Sequence, residues 1–329
     1  MIAPVSLNRP LAAFGQRLFH AMNVFLHIGA HRCATTSFQH YLRHNTDRLG
    51  PAGIGYWGPR RTRNGLFSGV LPGPVAIGGG DPARRARGRV ALAAARSANT
   101  RLQILVVSDE NIMGSVRENL RLGALYSGVG ERIARFVQAF DGRISDIILN
   151  IRSQDHYWAS ALAYSVTRGM AAPCARQLQR LTEAHRSWRD VVEDVAAAAG
   201  RARVCVFPFE QFCGQPETQL AMMTGSRAPM AEARVWLNRS PDAHVLRTQY
   251  GLRGLDHTRG RWMPFAPDQA AHLREAYADD IMWLAAGAGG AALLMNPQTP
   301  LRAGRTGPGV DMTRGRHHDD QDRRVAHAR

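Results

Sequence analysis

The sequence predicts an α/β fold of three layers, with a central, mainly parallel sheet flanked by helices. Short apolar runs of strand length recur at 23–29, 102–108, 144–152 and 202–210. Segments of helical spacing separate them, and that alternation argues for parallel strands joined by crossovers. The 329 residues are enough to bury a full core, and one main domain is expected over 22–296.

The elements follow in order. "NVFLHIG" at 23–29 has the length and apolar character of a buried strand, and Phe38, Tyr41 and Leu42 in "FQHYLRHN" stand at helical spacing. The stretch between, within "LHIGAHRCATTSF" at 26–38, therefore reads as a tight turn leading into a helix start. "GIGYW" at 53–57 is a second short strand. Gly, Pro and Arg dominate 58–89, which is read as irregular and is either a lid or binding loop or a plain surface excursion. "RVALAAARSAN" reads as a helix, and the strand at 102–108 runs into "DEN".

"ERIARFVQAF" is the next helix, followed by the strand "ISDIILNIR" and the helix "SQDHYWASALAYSVTRG", closed by Gly169. One further helix is expected over about 177–199, before the strand "ARVCVFPFE". Pro216, Pro229, Pro241 and Pro264 break the patterns of 215–265. A last helix is clear in "APDQAAHLREAYADDIMWLAAG", with Leu273, Tyr277, Ile281 and Leu284 on one face and Pro267 near its start. The charged tail 297–329 reads as disordered, with His317 and His318 solvated in it rather than binding metal. Residues 1–21 are taken as an N-terminal extension, either loosely attached or preceding a true start at Met22.

The 42 basic residues, all arginine, outweigh 26 acidic ones to give a net charge of +16. Ala, Gly and Arg are all heavily used, so part of this charge reflects compositional bias. What remains favours anionic ligands. Cys33, Cys174, Cys205 and Cys213 lack the paired spacing of a zinc site or disulfide framework, which suits a reducing, cytoplasmic location. No stretch has the ~20 apolar residues needed to cross a bilayer. No metal is expected.

In parallel sheets, ligands bind beyond the carboxyl ends of the strands. There the turn at 29–37 would present backbone N–H groups and a helix N-terminus, a natural site for phosphate. A triphosphatase loop of the form G-x-x-x-x-G-K-[ST] is a poor match, because counting from Gly29 puts Ala34, Thr35 and Thr36 in its last three places. The lysine that would reach the terminal phosphates is missing.

Arg32-Cys33-Ala34-Thr35-Thr36-Ser37 resembles instead the 5′-phosphosulfate loop of the sulfotransferases that use 3′-phosphoadenylyl sulfate, usually K-[ST]-G-T-T-[SW]. A second motif of that family, a strand ending in Arg with Ser eight residues later, resembles Arg152 and Ser160 in "NIRSQDHYWASAL". The closing helix also looks like that of many bacterial members, and the resemblance spans roughly 22–290 apart from the middle loops and 215–258. It implies a sulfotransferase architecture related to the P-loop NTPases and transfer of a sulfuryl group to a carbohydrate, lipid-linked glycan or small hydroxyl compound. In cofactor binding it implies Arg32, Cys33, Ala34, Thr35, Thr36 and Ser37 at the 5′-phosphate, and Arg152 with Ser160 at the 3′-phosphate.

Arg32 stands where the family carries a catalytic lysine. Arginine keeps the charge but is a planar fork rather than a compact point charge. Ala34 stands where the family carries glycine, and strains the turn if that position needs positive φ. The resemblance points to Glu110 as the base that accepts the acceptor's proton, with Asp109 as fallback; an acidic pair after a strand is as readily a helix cap. His27 is expected to pack in the core, and His31, more exposed in the loop, either to be solvated or to contact phosphate or acceptor. Arg259 and Arg261 are further candidates at the 3′-phosphate. Tyr157, Trp158 and Tyr164 either pack the core or stack an adenine.

Two competing functions stand beside transfer: a protein that binds the nucleotide without turnover, and a basic nucleic-acid binder. Such a binder would need clustered basic residues with interleaved aromatics, whereas the arginines are spread along the chain, densest in 60–89 and the tail, so no specific nucleic-acid partner is expected.

Overall fold

The structure, a computed structural model, describes residues 22–71, 81–253 and 260–298. The N-terminal extension, Arg259 and the histidines of the tail lie outside the described residues.

Six strands form one sheet: β1 Asn23–His27, β2 Ile54–Trp57, β3 Ile104–Ser108, β4 Ile144–Ile151, β5 Arg203–Pro208 and β6 Leu293–Leu294. Their order is β2-β3-β1-β4-β5-β6, and every pairing is parallel. The central strands are buried along almost their whole length, as strands covered on both faces must be.

Two apolar layers cover the sheet. On one face the helix Thr35–His44 brings Phe38, Tyr41 and Leu42 against Phe25, Ile148 and Phe207. On the other, the helices Val129–Ala139, Gln154–Val166 and Trp188–Ala198 bring Ile133, Phe136, Trp158 and Val192 against Leu26, Leu105 and Leu149. From β1 the chain crosses to the edge strand β2, returns to β3 between the two, and then continues on the other side of β1 with β4 and β5. β1 and β4 are therefore neighbours whose following helices lie on opposite faces. That leaves a crevice at their carboxyl ends, where ligands of such sheets bind.

Two expectations need correction. Within 58–89 the helix Pro82–Ala98 begins early, because Asp81 caps it by accepting from the Ala83 amide and Pro82 presets the first helical residue. Ala86, Val90 and Ala94 form its buried stripe. The single helix expected over 177–199 is two, Ala175–Thr182 and Trp188–Ala198. The Ser187 hydroxyl and the Asp190 carboxylate close a capping box at the second start, and Asp280 accepts from the Ser187 hydroxyl and the Trp188 amide, holding the break in place. Among the described residues no helix is long and apolar enough to cross a membrane.

Candidate functional site

The site is built on the turn between β1 and the helix Thr35–His44. Gly29 opens it, and a Cβ there would lie 2.7 Å from the Thr35 methyl, so only glycine lets the turn fold this tightly over its helix. Arg32 and Ala34 both adopt left-handed backbone, at φ 66° and 60°. The strain anticipated for alanine is therefore present at Ala34, and Arg32 shares it. Thr35, Thr36 and Ser37 open the helix, where the first amides have no partner within the helix.

Arg152 follows β4, and Ser160 faces the same crevice from the helix Gln154–Val166. Together with the turn they line a cleft of about 400 Å³. The Arg152 guanidinium lies 4.2 Å over the Phe209 ring, Nη1 donates to the Arg32 carbonyl at 3.0 Å, and its own carbonyl accepts from the Trp188 indole at 2.7 Å. Only 4% of Arg152 is exposed, yet its Nε–H is buried without an acceptor. Burying a donor of a charged group unpaired is costly, and this one belongs to a residue that lines the cleft. Burial draws the guanidinium pKa values of Arg32 and Arg152 below the usual arginine value; Arg152 adds to the shift at Arg32, and Arg261 to that at Arg152. Among the described residues, Arg239 and Arg261 complete a wall of four arginines, and Asp242 is the one acid lining it. The Asp242 carboxylate is occupied as the cap of the helix Ala243–Tyr250.

A smaller chamber of about 270 Å³ adjoins the cleft through Ala34 and Trp236, walled by Phe38, Phe212 and Val235. Ser37, Gln219 and Arg234 are its polar lining, and Gln219 exchanges amide hydrogen bonds with Asn150.

The other side of the turn is organised differently. Asp109 caps the turn Glu110–Ile112 by accepting from the Asn111 amide, and also accepts from Thr62 at 2.5 Å and from Arg63 at 2.6 Å. The capping alternative therefore describes Asp109. Glu110 accepts from Arg63 at 2.9 Å and from Gln39 at 2.8 Å. Burial alone would raise the Glu110 carboxyl, but these hydrogen bonds outweigh it and hold it below the usual glutamate range. Glu110 is not among the residues lining the arginine cleft.

Other candidates are placed as follows. Cys33 is buried in the core and Ser37 faces the smaller chamber, so neither side chain lines the arginine cleft, whereas Ala34, Thr35 and Thr36 do. His27 is a core histidine: Nδ1 pairs with the Ser108 hydroxyl at 2.7 Å and Nε2 with the Asn150 carbonyl at 2.8 Å. Burial lowers its pKa to about 4. His31 is held rather than solvated. The Tyr126 hydroxyl accepts from the His31 amide and from the Tyr157 hydroxyl, which leaves its own proton for His31 Nδ1 at 2.9 Å. His31 Nε2–H then donates to Asn111. Tyr157 and Trp158 are core residues, and Tyr164 carries the Arg32 guanidinium over its ring at 5.2 Å.

Sequence reasoning missed Phe209, Trp236, Asn238 and Ser240 as cleft residues. "VWLNRSP" held the signal, a tryptophan beside an Asn and Ser turn, but nothing local showed where it docks.

Fold and site together define an α/β domain with an arginine-lined cleft at the carboxyl edge of a parallel sheet. Comparison with protein-family models, with curated proteins and with solved structures finds no match to the chain.

Proposed function

We propose that the chain is a sulfotransferase that takes its sulfuryl group from 3′-phosphoadenylyl sulfate and delivers it to the hydroxyl of a carbohydrate, lipid-linked glycan or small metabolite. The P-loop-related architecture implied by the motif resemblance belongs to the same proposal. One observation carries it: Arg152, with an unpaired buried Nε–H, and the hydroxyl-rich turn line one cleft from the ends of two neighbouring strands. Such a cleft suits a ligand with two separated phosphates.

In this reading the amides and hydroxyls of Thr35 and Thr36 receive the 5′-phosphate, and Arg152, Ser160 and Arg261 receive the 3′-phosphate. The apolar chamber behind Trp236 takes the flat base. Transfer breaks the bond between sulfur and the bridging oxygen, leaves the electron pair on the 5′-phosphate and forms a bond from sulfur to the acceptor oxygen. Arg32 stabilises the charge growing on the bridging oxygen. Glu110, kept ionised by Arg63 and Gln39, takes the acceptor's proton, which requires the acceptor to sit on the β3 side of the turn.

A second reading, nucleotide binding without turnover, is favoured by the two hydrogen bonds Glu110 already accepts and by arginine in the place of a lysine. Titration with adenosine 3′,5′-bisphosphate against ATP tests the binding, and a preference for ATP or for neither overturns it. Sulfuryl transfer measured before and after Arg32→Lys separates the readings: binding with no turnover in both forms selects the second.

A further inference from the structure

The stretch Leu237–Ser240 crosses the turn and takes up its polar groups. The Leu237 amide donates to the Ser37 hydroxyl at 2.9 Å, and the Asn238 side chain donates to the Thr36 hydroxyl at 3.0 Å. Arg32 Nη2 donates to the Asn238 carbonyl at 2.9 Å and to the Ser240 hydroxyl at 3.1 Å, while its Nε donates to Ser160. The Ser160 and Ser240 hydroxyls share a hydrogen bond of 2.6 Å. One short stretch thus offers two oxygens to the arginine and a hydroxyl to the serine, the contacts a phosphate would otherwise make.

The stretch is also under tension. Asn238 adopts left-handed backbone at φ 52°, a conformation with a steric penalty for any residue bearing a Cβ, though least for Asn and Asp. Beyond it the chain is pinned, with Asp242 paired to Arg261 by an antiparallel bridge and the Ala243 amide donating to the Gly260 carbonyl. Release therefore needs only the span between Trp236 and Pro241 to move.

We propose that Leu237–Ser240 is a built-in competitor for the anion site, holding Arg32 and Ser160 through its own oxygens until a phosphate displaces it. The proposal rests on the reading of the cleft as a phosphate site. Competition of this kind lowers apparent affinity by the fraction of molecules in which the stretch is released. It also leaves a kinetic mark, because the rate of binding saturates at the rate of release.

The test titrates adenosine 3′,5′-bisphosphate into the full chain, Ser240→Ala and the double variant Asn238→Ala/Ser240→Ala, following tryptophan fluorescence by stopped flow and heat by calorimetry. Ser240→Ala is expected to bind about two- to tenfold tighter, the worth of a lost competing hydrogen bond, with a higher limiting rate. The double variant shifts further in the same direction, since alanine at position 238 adds backbone strain to the held state. Weaker binding by the variants would mean that the stretch clasps the ligand, and would overturn the proposal. Equal affinity overturns it too, yet leaves the bisphosphate reading standing. If none of the three forms binds the nucleotide, that reading fails, and inorganic pyrophosphate becomes the probe: the same ordering among the three forms sustains the competitor, and no binding or a reversed ordering ends it.

Discussion

Among the described residues, four arginines on the β4 side of the turn face one carboxylate that is already a helix cap, and on the β3 side two carboxylates share one arginine. Both flanks sit on the same sheet edge and are built from the same residue types. They differ in satisfaction. Asp109 accepts from an amide, a hydroxyl and a guanidinium, whereas Arg152 keeps a buried donor with no acceptor. Charges that complete one another hold a fold in place, whereas like charges gathered along a cleft suit an anion. Between the two runs a buried chain of polar groups, from Glu110 through Gln39, Ser108, His27 and Asn150 to Gln219, which ties the flanks together beneath the turn.

The contrast can be broken most directly at Arg152. Arg152→Ala should weaken adenosine 3′,5′-bisphosphate binding by ~1.5 to 3 kcal/mol, the value of a hydrogen bond to a charged group, and calorimetry giving an unchanged Kd would remove Arg152 from the site. The buried chain offers a pH test. His27 has its pKa depressed to about 4 in the folded state, below the ~6.5 of an unfolded histidine, so its contribution is complete above that value and is lost as pH falls toward 4. Urea denaturation across this window should show a slope of up to about 1.4 kcal/mol per pH unit that flattens in His27→Gln; an unaltered slope would assign it to other groups.

Arg63→Ala sharpens the comparison from the other flank. Loss of its hydrogen bonds to Asp109 and Glu110 should destabilise the fold by about 1 kcal/mol, after allowance for the solvent exposure of Arg63, with bisphosphate affinity little changed. A large loss of affinity with stability intact would show that this flank also binds. The smallest effect is expected at Ala34→Gly, which relieves the left-handed backbone and should stabilise the protein by about 0.5 to 1 kcal/mol, net of glycine's extra chain entropy. Destabilisation in the same denaturation assay would argue against that backbone geometry.

What could be read from the sequence follows the range of the interactions concerned. The strands announced themselves as apolar runs, and the pairing of the turn with Arg152 followed from two local patterns placed on neighbouring strand ends. Ser187 with Asp190, and Asp81 before Pro82, are also local signals, but the first lay inside a continuous helical pattern and the second among Gly, Pro and Arg. Asn238 and Ser240 were out of reach, because they meet Thr36 and Arg32 across some two hundred residues and nothing in their own neighbourhood encodes that docking. Asp109 and Glu110 show the limit of motif reasoning: adjacent in sequence and chemically alike, they are distinguished by Thr62, Arg63 and Gln39, residues brought in from elsewhere.

The reversal of winding between β1 and β4 has a mechanical corollary. Because the helix after each strand belongs to a different face of the sheet, an anion gripped at both strand tips acts as a rivet through the molecule, fastening one layer to the other. Under the proposed reading, the bisphosphate should therefore resist shear between the layers and raise the melting temperature with its concentration, by the equivalent of ~2.7 kcal/mol at a hundredfold excess over Kd.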